Sequence, residues 1–242
     1  MRNYGEEYEK RVDFIKEVLN GSGAAGIVFG NSGGKDSALV GILCKAACDN
    51  TVGIMMPCAS TRNFGEDMQD ALKLAEQFGI ETKTVDLTAA RGEVLRALDG
   101  VSQVTDSALG NIAPRLRMLT LYAVAMSEGR LVAGTGNRSE AYMGYFTKWG
   151  DGAYDFNPIS DLTATEVIEF LRWLKAPEGI TNKPPSAGLF EGQTDEADMG
   201  VTYAAIDRFL FTGEAQERDL EIINRYHSRS GHKRRDPARY SE

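Results

Sequence analysis

The sequence predicts an α/β fold: a doubly wound, Rossmann-like parallel sheet with helices on both faces. Four short runs, at residues 26–30, 52–56, 82–86 and 130–134, have the composition of strands. Stretches with helical periodicity lie between them, and this alternation favours parallel strands that are linked by helices. Ligands bind beyond the carboxyl ends of the strands in such sheets, so we expect the functional residues to follow these runs.

Helices are predicted wherever apolar residues recur at three- and four-residue steps. One face of an N-terminal helix is formed by Tyr4, Tyr8, Val12, Ile15 and Leu19. The other predicted helices span residues 37–48, 65–78, 91–98, 114–127, 163–174, 199–209 and 214–226. Pro114 suits a first helical turn, so the helix before the last predicted strand is expected to begin there.

Two segments have the composition of functional loops rather than of regular elements. Residues 135–160 are rich in glycine, aromatic and polar side chains, and we expect them to form a site-lining loop region. Residues 177–194 are rich in proline and glycine, which predicts a mobile lid that excludes water from the site.

Length, charge and cysteine content limit the possible classes of protein. The 242 residues suit one α/β domain over 1–242, with a basic tail at 227–242. A net charge of −8 argues against a general nucleic-acid binder. Three cysteines without paired spacing predict neither a disulfide framework nor a zinc site. No stretch has membrane-spanning length and the N-terminus is too polar for a signal peptide, so we expect a cytoplasmic protein without a membrane partner.

The strongest functional signal is GNSGGKDS at residues 30–37, between a predicted strand and a predicted helix. Glycines let backbone N–H groups approach an anion, and the helix N-terminus adds its positive dipole end. Ser32 and Ser37 can donate hydrogen bonds to phosphate, whereas Asp36 tolerates phosphate only with a cation between them, which indicates Mg²⁺. The spacing fits neither a Walker P-loop nor a Rossmann GxGxxG motif. The alternative is a glycine-rich turn in which Asp36 and Ser37 only cap a helix.

Charged residues farther along the chain are candidates for the same site. Glu140 follows a glycine-rich turn at a strand end, where it can complete an oxygen site with Asp36; the alternative is a solvated loop glutamate. Arg115 and Arg117 lie two apart on a predicted helix and therefore point to different faces. One of them can bind a carboxylate or phosphate while the other is structural, and Arg115 is favoured.

Lys148 lies among Tyr145, Phe146 and Trp149, an environment that suits a flat heterocycle beside a cation. The alternative is that these aromatic side chains only pack a loop against the core. Asp155 is compatible with a substrate contact and equally with a turn.

The segment SGGKDSA resembles the pyrophosphate-binding loop of the N-type ATP pyrophosphatases, which split ATP between the α- and β-phosphates and adenylate a substrate oxygen. The rest of the chain, from about residue 20 to 237, resembles the NAD synthetases of that superfamily. The motifs that carry this resemblance are NIAPRLRM at 111–118, GTGNRSE at 134–140, GYFTKWGDG at 144–152, NPI at 157–159, KPPSA at 183–187, GQTDE at 192–196 and HKR at 232–234. The resemblance implies the adenine-nucleotide α-hydrolase type of the α/β fold.

The same resemblance implies a set of site residues. ATP, as co-substrate, is expected to contact Gly30, Asn31, Ser32, Gly33, Gly34, Lys35, Asp36, Ser37, Thr135 and Ser186. Mg²⁺ is expected on Asp36 and Glu140, which are the implied catalytic residues together with Lys148. Deamido-NAD is expected to contact Arg115, Lys148, Asp155, His232 and Lys233. One position departs from the family: Ala164 stands where a lysine often contacts ATP, so that contact is missing or comes from elsewhere, with Lys183 as a candidate.

The implied reaction is ATP-dependent amidation of deamido-NAD (nicotinic acid adenine dinucleotide) to NAD through an acyl-adenylate, the final step of NAD biosynthesis. Ammonia is the expected nitrogen donor, because the chain is short for an added glutaminase domain and shows no catalytic Cys–His pattern. A homodimer is also implied.

Two alternatives fit the sequence less well. Another enzyme of the superfamily, thiolating tRNA or forming GMP, would carry cysteine pairs or a basic surface, or would lack the 134–152 motifs. A non-catalytic nucleotide sensor would not need both Asp36 and Glu140.

Overall fold

The fold is built on a four-stranded sheet. The computed structural model describes residues 2–59, 65–183 and 194–240. All neighbouring strands are parallel, in the order β3-β2-β1-β4. The strands are β1 Gly26–Gly30, β2 Thr51–Met55, β3 Glu81–Thr84 and β4 Arg130–Ala133. The doubly wound α/β fold predicted from the sequence is therefore confirmed.

Helices link the strands and follow the last of them. They are α1 Tyr4–Ser22, α2 Lys35–Ala47, α3 Glu66–Phe78, α4 Thr88–Ala97, α5 Asp106–Glu128, α6 Arg138–Met143, α7 Ala164–Trp173, α8 Glu178–Thr181, α9 Asp195–Met199, α10 Tyr203–Thr212 and α11 Glu217–Arg229. A 3₁₀ turn, Gly231–Lys233, follows α11.

Two predicted helix boundaries are wrong. Helix α5 begins at Asp106, where the Thr105 side chain accepts a hydrogen bond from the Ala108 amide, and Pro114 lies buried inside the helix. The expected helix at 199–209 is instead divided between α9 and α10. Gly200, in the left-handed conformation, ends α9, and the Thr202 side chain caps α10. Local capping determines these boundaries more strongly than apolar periodicity does.

The sheet buries both of its faces, and its two central strands are accordingly almost entirely apolar, with Thr51 as the polar exception. On β1, Ile27 and Phe29 pack into a core with α1, α2 and α7, whereas Val28 points to the opposite core beneath α5. A third cluster joins α10 and α11 to α6 and the start of α7. This cluster fixes the C-terminal helices beside the loops that follow β4.

The two edges of the sheet differ. β3 is short and polar, with the sequence ETKT, and Lys83 pairs with Glu81 and Glu128. The outer edge of β4 pairs with the backbone of Asp155 and Phe156. The Asp155 backbone N–H donates to the Val132 carbonyl at 2.9 Å, and the Gly134 backbone N–H donates to the Phe156 carbonyl at 2.8 Å.

The strand order reverses between β1 and β4, which lie side by side with Val28 opposite Val132. The segments that follow these strands, residues 31–34 and 134–137, therefore leave the same edge of the sheet. Such a switch point is the usual ligand crevice of doubly wound sheets. Among the described residues, none of the helices combines the length and the apolar character that crossing a bilayer requires.

The close approach of the loop after β1 to α3 gives a first prediction. Gly33 has φ +75°, and a Cβ added there would lie 2.0 Å from the Asp67 carbonyl oxygen. Gly33→Ala should therefore lower the free energy of unfolding by at least about 1–2 kcal/mol, because it adds left-handed strain to a backbone collision. Gly92→Ala is the matched control, since its Cβ meets open space within α4, and it should stabilise the protein by about 0.5–1 kcal/mol. Urea unfolding measures both changes, and equal stability of the two variants would contradict this geometry.

Candidate active site

A cavity of about 730 Å³ opens at the switch point between β1 and β4. That volume is in the range of small-molecule sites. The sequence-predicted residues that line it are Gly30, Asn31, Ser32, Gly34, Lys35, Asp36, Ser37, Thr135, Glu140 and Lys233. The predicted residues outside the lining are Gly33, Arg115, Lys148, Asp155 and His232. Ser186 lies outside the residues that the structure describes.

The loop after β1 is held by its own hydrogen bonds. The hydroxyls of Ser32 and Ser37 are 3.0 Å apart, and the Ser37 hydroxyl donates to the Gly34 carbonyl at 3.0 Å. Gly34 is the N-cap of α2 and has no side chain to satisfy the first backbone N–H groups of the helix. These groups face the cavity end of β1, so the loop suits an anion such as a nucleotide phosphate.

Asn137 connects this loop to the segment after β4. Its side-chain amide donates to Asp36 Oδ1 at 3.0 Å, and its Oδ1 accepts the Glu140 amide at 3.0 Å. Glu140 Oε2 in turn accepts a hydrogen bond from the backbone N–H of Asn137 at 3.1 Å, which completes a capping box at the start of α6. Asn137 thus hydrogen-bonds to both Asp36 and Glu140, and these two acids, which are predicted to share a cation, both line the cavity.

The acids share this region with one buried cation. Lys35 Nζ donates to Asp36 Oδ2 at 2.5 Å and lies 5.3 Å from the centre of the Tyr203 ring. The Tyr203 hydroxyl donates to Asp195 Oδ2 at 3.1 Å, and Asp195 is itself buried. Burial, and then the charges of Glu140 and Asp195, raise the pKa of Tyr203.

The pKa values of Glu140 and Lys35 are both shifted from their ordinary values. Burial first, and then the charge of Asp36, raise the pKa of Glu140 well above its usual value, and the nearby Lys35 offsets only part of this effect. Burial lowers the pKa of Lys35, but the charges of Asp36 and Glu140 outweigh burial and raise it. Strongly perturbed carboxyl groups in a cleft are typical of functional sites.

The acidic pair suits Mg²⁺ under one condition. Among the described residues, no three His, Cys, Asp or Glu side chains are placed to hold a metal ion. Mg²⁺ is commonly bound by one or two carboxylates together with substrate phosphates and water. Asp36 and Glu140 therefore fit a cation that arrives with a nucleotide, not one held by protein ligands alone.

The two arginines of α5 are separated as the sequence predicts, but the one that lines the cavity is Arg117. Its Nε donates to the Met56 carbonyl at 3.1 Å, and burial lowers its pKa. Arg115 is exposed, and its guanidinium donates to the Lys148 carbonyl at 3.4 Å. The two-residue spacing places the arginines on different faces of α5 but does not determine which face meets the cavity, because the phase of α5 relative to the sheet depends on tertiary packing.

The 3₁₀ turn after α11 packs against the loop that carries Lys148. The Lys148 ammonium donates to the His232 carbonyl at 2.6 Å and lies 5.2 Å from the centre of the Trp149 ring. The Lys233 ammonium donates to the carbonyls of Gly144 and Phe146, at 2.8 and 2.6 Å. The structure thus brings together three of the residues expected to bind substrate, Lys148, His232 and Lys233.

Asp155 is separate from that group. Its Oδ2 accepts the Val132 amide at 2.8 Å, and its Oδ1 accepts the Tyr122 hydroxyl at 3.2 Å. The side chain therefore completes the edge of β4.

Ala164, the position that departs from the family pattern, is 1% exposed and packs in the third core cluster. Lys183 does line the cavity, but its ammonium lies 2.6 Å from Asp67 and 2.8 Å from Asp70. Its contact with ATP stays a prediction.

Three cavity residues were not assigned a role from the sequence, namely Asp67, Asp151 and Asp195, and neither was Asn137, which holds Asp36 from behind the lining. Asp151 is an example: its carboxylate accepts a hydrogen bond from the Thr147 backbone N–H at 2.9 Å. Asp151 and Asp195 lie in the quoted motifs GYFTKWGDG and GQTDE, so the motifs marked them without indicating what they do.

The raised pKa of Glu140 predicts that this carboxyl group lowers the stability of the protein at neutral and basic pH while it supports turnover. Above the ordinary carboxyl value of 4.5, the unfolded chain releases this proton while the folded chain retains it, so wild-type stability falls as pH rises. Glu140→Gln removes that ionisation and should raise the free energy of unfolding at pH 8, with no difference below pH ~4. Turnover should fall at least about a hundredfold. Urea unfolding at the two pH values tests this, and a variant less stable than wild type at pH 8 would contradict the assignment.

Comparison with known proteins places the chain in a family. The family model for NAD synthase matches residues 7–237. A relative from Carboxydothermus hydrogenoformans, named NH(3)-dependent NAD(+) synthetase, is 45% identical over 238 residues, which cover 97% of each chain. The structure of NMN synthetase from Francisella tularensis has a TM-score of 0.94 at 39% identity, covering 100% of both chains. The NH3-dependent NAD synthetase of Campylobacter jejuni has a TM-score of 0.80 at 28% identity, also covering 100% of both chains. The chain belongs to the NAD synthase family.

Proposed function

We propose that this protein is a ligase that amidates deamido-NAD to NAD with ammonia, at the expense of ATP, and releases AMP and pyrophosphate. The observation that carries the proposal is the meeting, in one cavity, of the anion-binding loop before α2 with the acidic pair Asp36 and Glu140. The family assignment and the names of the curated relatives support the substrate and the nitrogen donor.

In the first step, the nicotinate carboxylate attacks the α-phosphorus of ATP and expels pyrophosphate. The backbone N–H groups at the N-terminus of α2 and the hydroxyls of Ser32 and Ser37 hold the phosphates by donating hydrogen bonds. These bonds stabilise the negative charge that develops on the leaving pyrophosphate. A bound Mg²⁺ would neutralise part of this charge. Asp36 and Glu140 are its proposed ligands.

In the second step, ammonia attacks the carbonyl of the acyl-adenylate, and AMP leaves. A free carboxylate is a poor electrophile, and adenylation divides one difficult step into two easier ones. The intermediate must be protected from water. We assign this task to the segment 177–194, of which residues 184–193 lie outside the described part of the chain.

Substrate binding is assigned to Arg115, Lys148, Asp155, His232 and Lys233. The contacts that join Lys148, His232 and Lys233 in one cluster support this group. Arg117 is added as a candidate for binding the negative charge of the substrate, because it is an arginine that lines the cavity.

A homodimer is part of the proposal. Leu119 and Met126 are seven residues apart on one face of α5 and are 61% and 87% exposed, which supports a contact between copies. The cytoplasmic location stays a prediction.

The nitrogen donor is tested by supplying MgATP and deamido-NAD with either ammonium or glutamine. No cysteine lines the cavity in the described residues, and Cys44 and Cys58 are buried. We therefore expect NAD and AMP with ammonium and less than about 1% of that rate with glutamine, since the described residues place no thiol nucleophile at the cavity. The products are measured by chromatography. Equal rates with both donors, in a preparation free of glutaminase, would contradict ammonia dependence.

A second candidate acceptor is nicotinic acid mononucleotide, whose amidation would yield NMN. It is favoured by the TM-score of 0.94 with the NMN synthetase from Francisella tularensis, against 0.80 with the Campylobacter jejuni NAD synthetase. Of the five residues assigned to the dinucleotide, only Lys233 lines the cavity, and this also favours the mononucleotide as acceptor.

Measuring kcat/KM for the two acceptors under the same conditions separates these candidates. We expect at least about tenfold higher kcat/KM for deamido-NAD, because its adenylate half supplies an additional charged phosphate for binding. A tenfold preference for the mononucleotide would replace the first candidate by the second and leave the chemistry of the carboxylate unchanged.

A further inference from the structure

Lys35 is a buried cation inside the acidic cluster of the cavity. Its side chain is 6% exposed, and its ammonium lies 2.5 Å from Asp36 Oδ2. The Tyr203 ring lies over the ammonium, and the charges of Glu140 and Asp195 also act on it. A long charged side chain normally keeps its charge in water, so this burial depends on the surrounding acids and ring.

Both oxygens of Asp36 have a hydrogen-bond donor. Oδ1 accepts from the Asn137 side chain at 3.0 Å, and Oδ2 accepts from Lys35. Asn137 is neutral and contributes no full charge, whereas Lys35 brings a full positive charge to the oxygen that faces it. A divalent cation on Asp36 would lie beside that ammonium in a poorly solvated place, where like charges repel strongly.

We propose that Lys35 is an internal competitor of the divalent cation. Its ammonium must leave Asp36 before a cation can bind Asp36 and Glu140. The site then binds the cation weakly by itself and tightly only with a nucleotide. This inference rests on the cation site in the proposed function.

The loop supplies a place for the displaced ammonium. Lys35 is the first residue of α2 and follows Gly34, the N-cap at which nucleotide phosphates are proposed to bind. A phosphate there can accept a charge-assisted hydrogen bond from the ammonium once Asp36 has turned to the cation. Nucleotide and cation would then each improve the binding of the other, by equal factors.

The test measures Mn²⁺ affinity without nucleotide, by titration calorimetry and by the thermal shift. Lys35→Met removes the charge and keeps an unbranched side chain, and it should tighten Mn²⁺ binding at least about tenfold. The matched control is Lys45→Met, at the other end of α2, where Lys45 pairs with Asp49 on the surface at 3.5 Å. This control should bind Mn²⁺ as the wild type does. Lys35→Arg keeps the charge and should also stay weak.

Each outcome decides the proposal. Mn²⁺ binding by Lys35→Met that is no tighter than in wild type, or tight binding by Lys35→Arg, overturns it. If Lys35→Met unfolds, Mn²⁺ should restore the fold by supplying the missing charge, and failure to do so also overturns the proposal.

Asp36→Asn, alone and combined with Lys35→Met, separates this inference from the proposed function. Loss of Mn²⁺ binding in both variants keeps the cation on Asp36, whatever the role of Lys35. Wild-type affinity in Asp36→Asn would remove the cation site itself, and the Lys35 inference would fail with it.

Discussion

The hydrogen bond from Asn137 to Asp36 is the interaction on which the candidate site depends. Asn137 is 0% exposed and lies at the start of α6, whereas Asp36 lies in the first turn of α2. The two helices follow β4 and β1, strands that are adjacent in the sheet but about a hundred residues apart in the chain. Because Asn137 also holds Glu140 in a capping box, one buried side chain fixes both acids relative to each other.

Fixing two acids in this way works against stability. A carboxyl group in a poorly solvated place loses hydration, and its neighbour of like charge adds repulsion, so the pKa of Glu140 rises. Lys35 compensates for part of this cost, as does the capping box around Glu140. A site organised before its ligands arrive spends less binding energy on reorganisation during the reaction. The electrostatic cost of this cluster is therefore best understood as a loss of stability that serves the function of the site.

The sequence predicted the fold and the central part of the site, because both depend on local patterns. Strand-like runs and glycine-rich turns lie within a few residues of each other, so β1, the loop to α2 and the end of β4 could be located directly. Arg115 was favoured over Arg117, but Arg117 is the one that lines the cavity, because the orientation of the two depends on how α5 rotates against the sheet. Asn137 has the ordinary composition of a helix cap, and its bond to Asp36 appears only once the chain is folded. The predicted starts of α5 and α10 were wrong for a related reason. Capping by the side chains of Thr105 and Thr202 determines where these helices begin, and apolar periodicity does not reveal it.

The two edges of the sheet bear on how the protein behaves at high concentration. An exposed strand edge is a template for pairing with other chains, and this leads to aggregation. All four residues of β3 are polar, and one of them, Lys83, pairs with both Glu81 and Glu128. Along β4, Asp155 uses its backbone amide and its carboxylate to pair with Val132. Asp155 thus makes the protein less prone to self-association through its strands, and a substitution there would lower colloidal stability even if catalysis were unchanged.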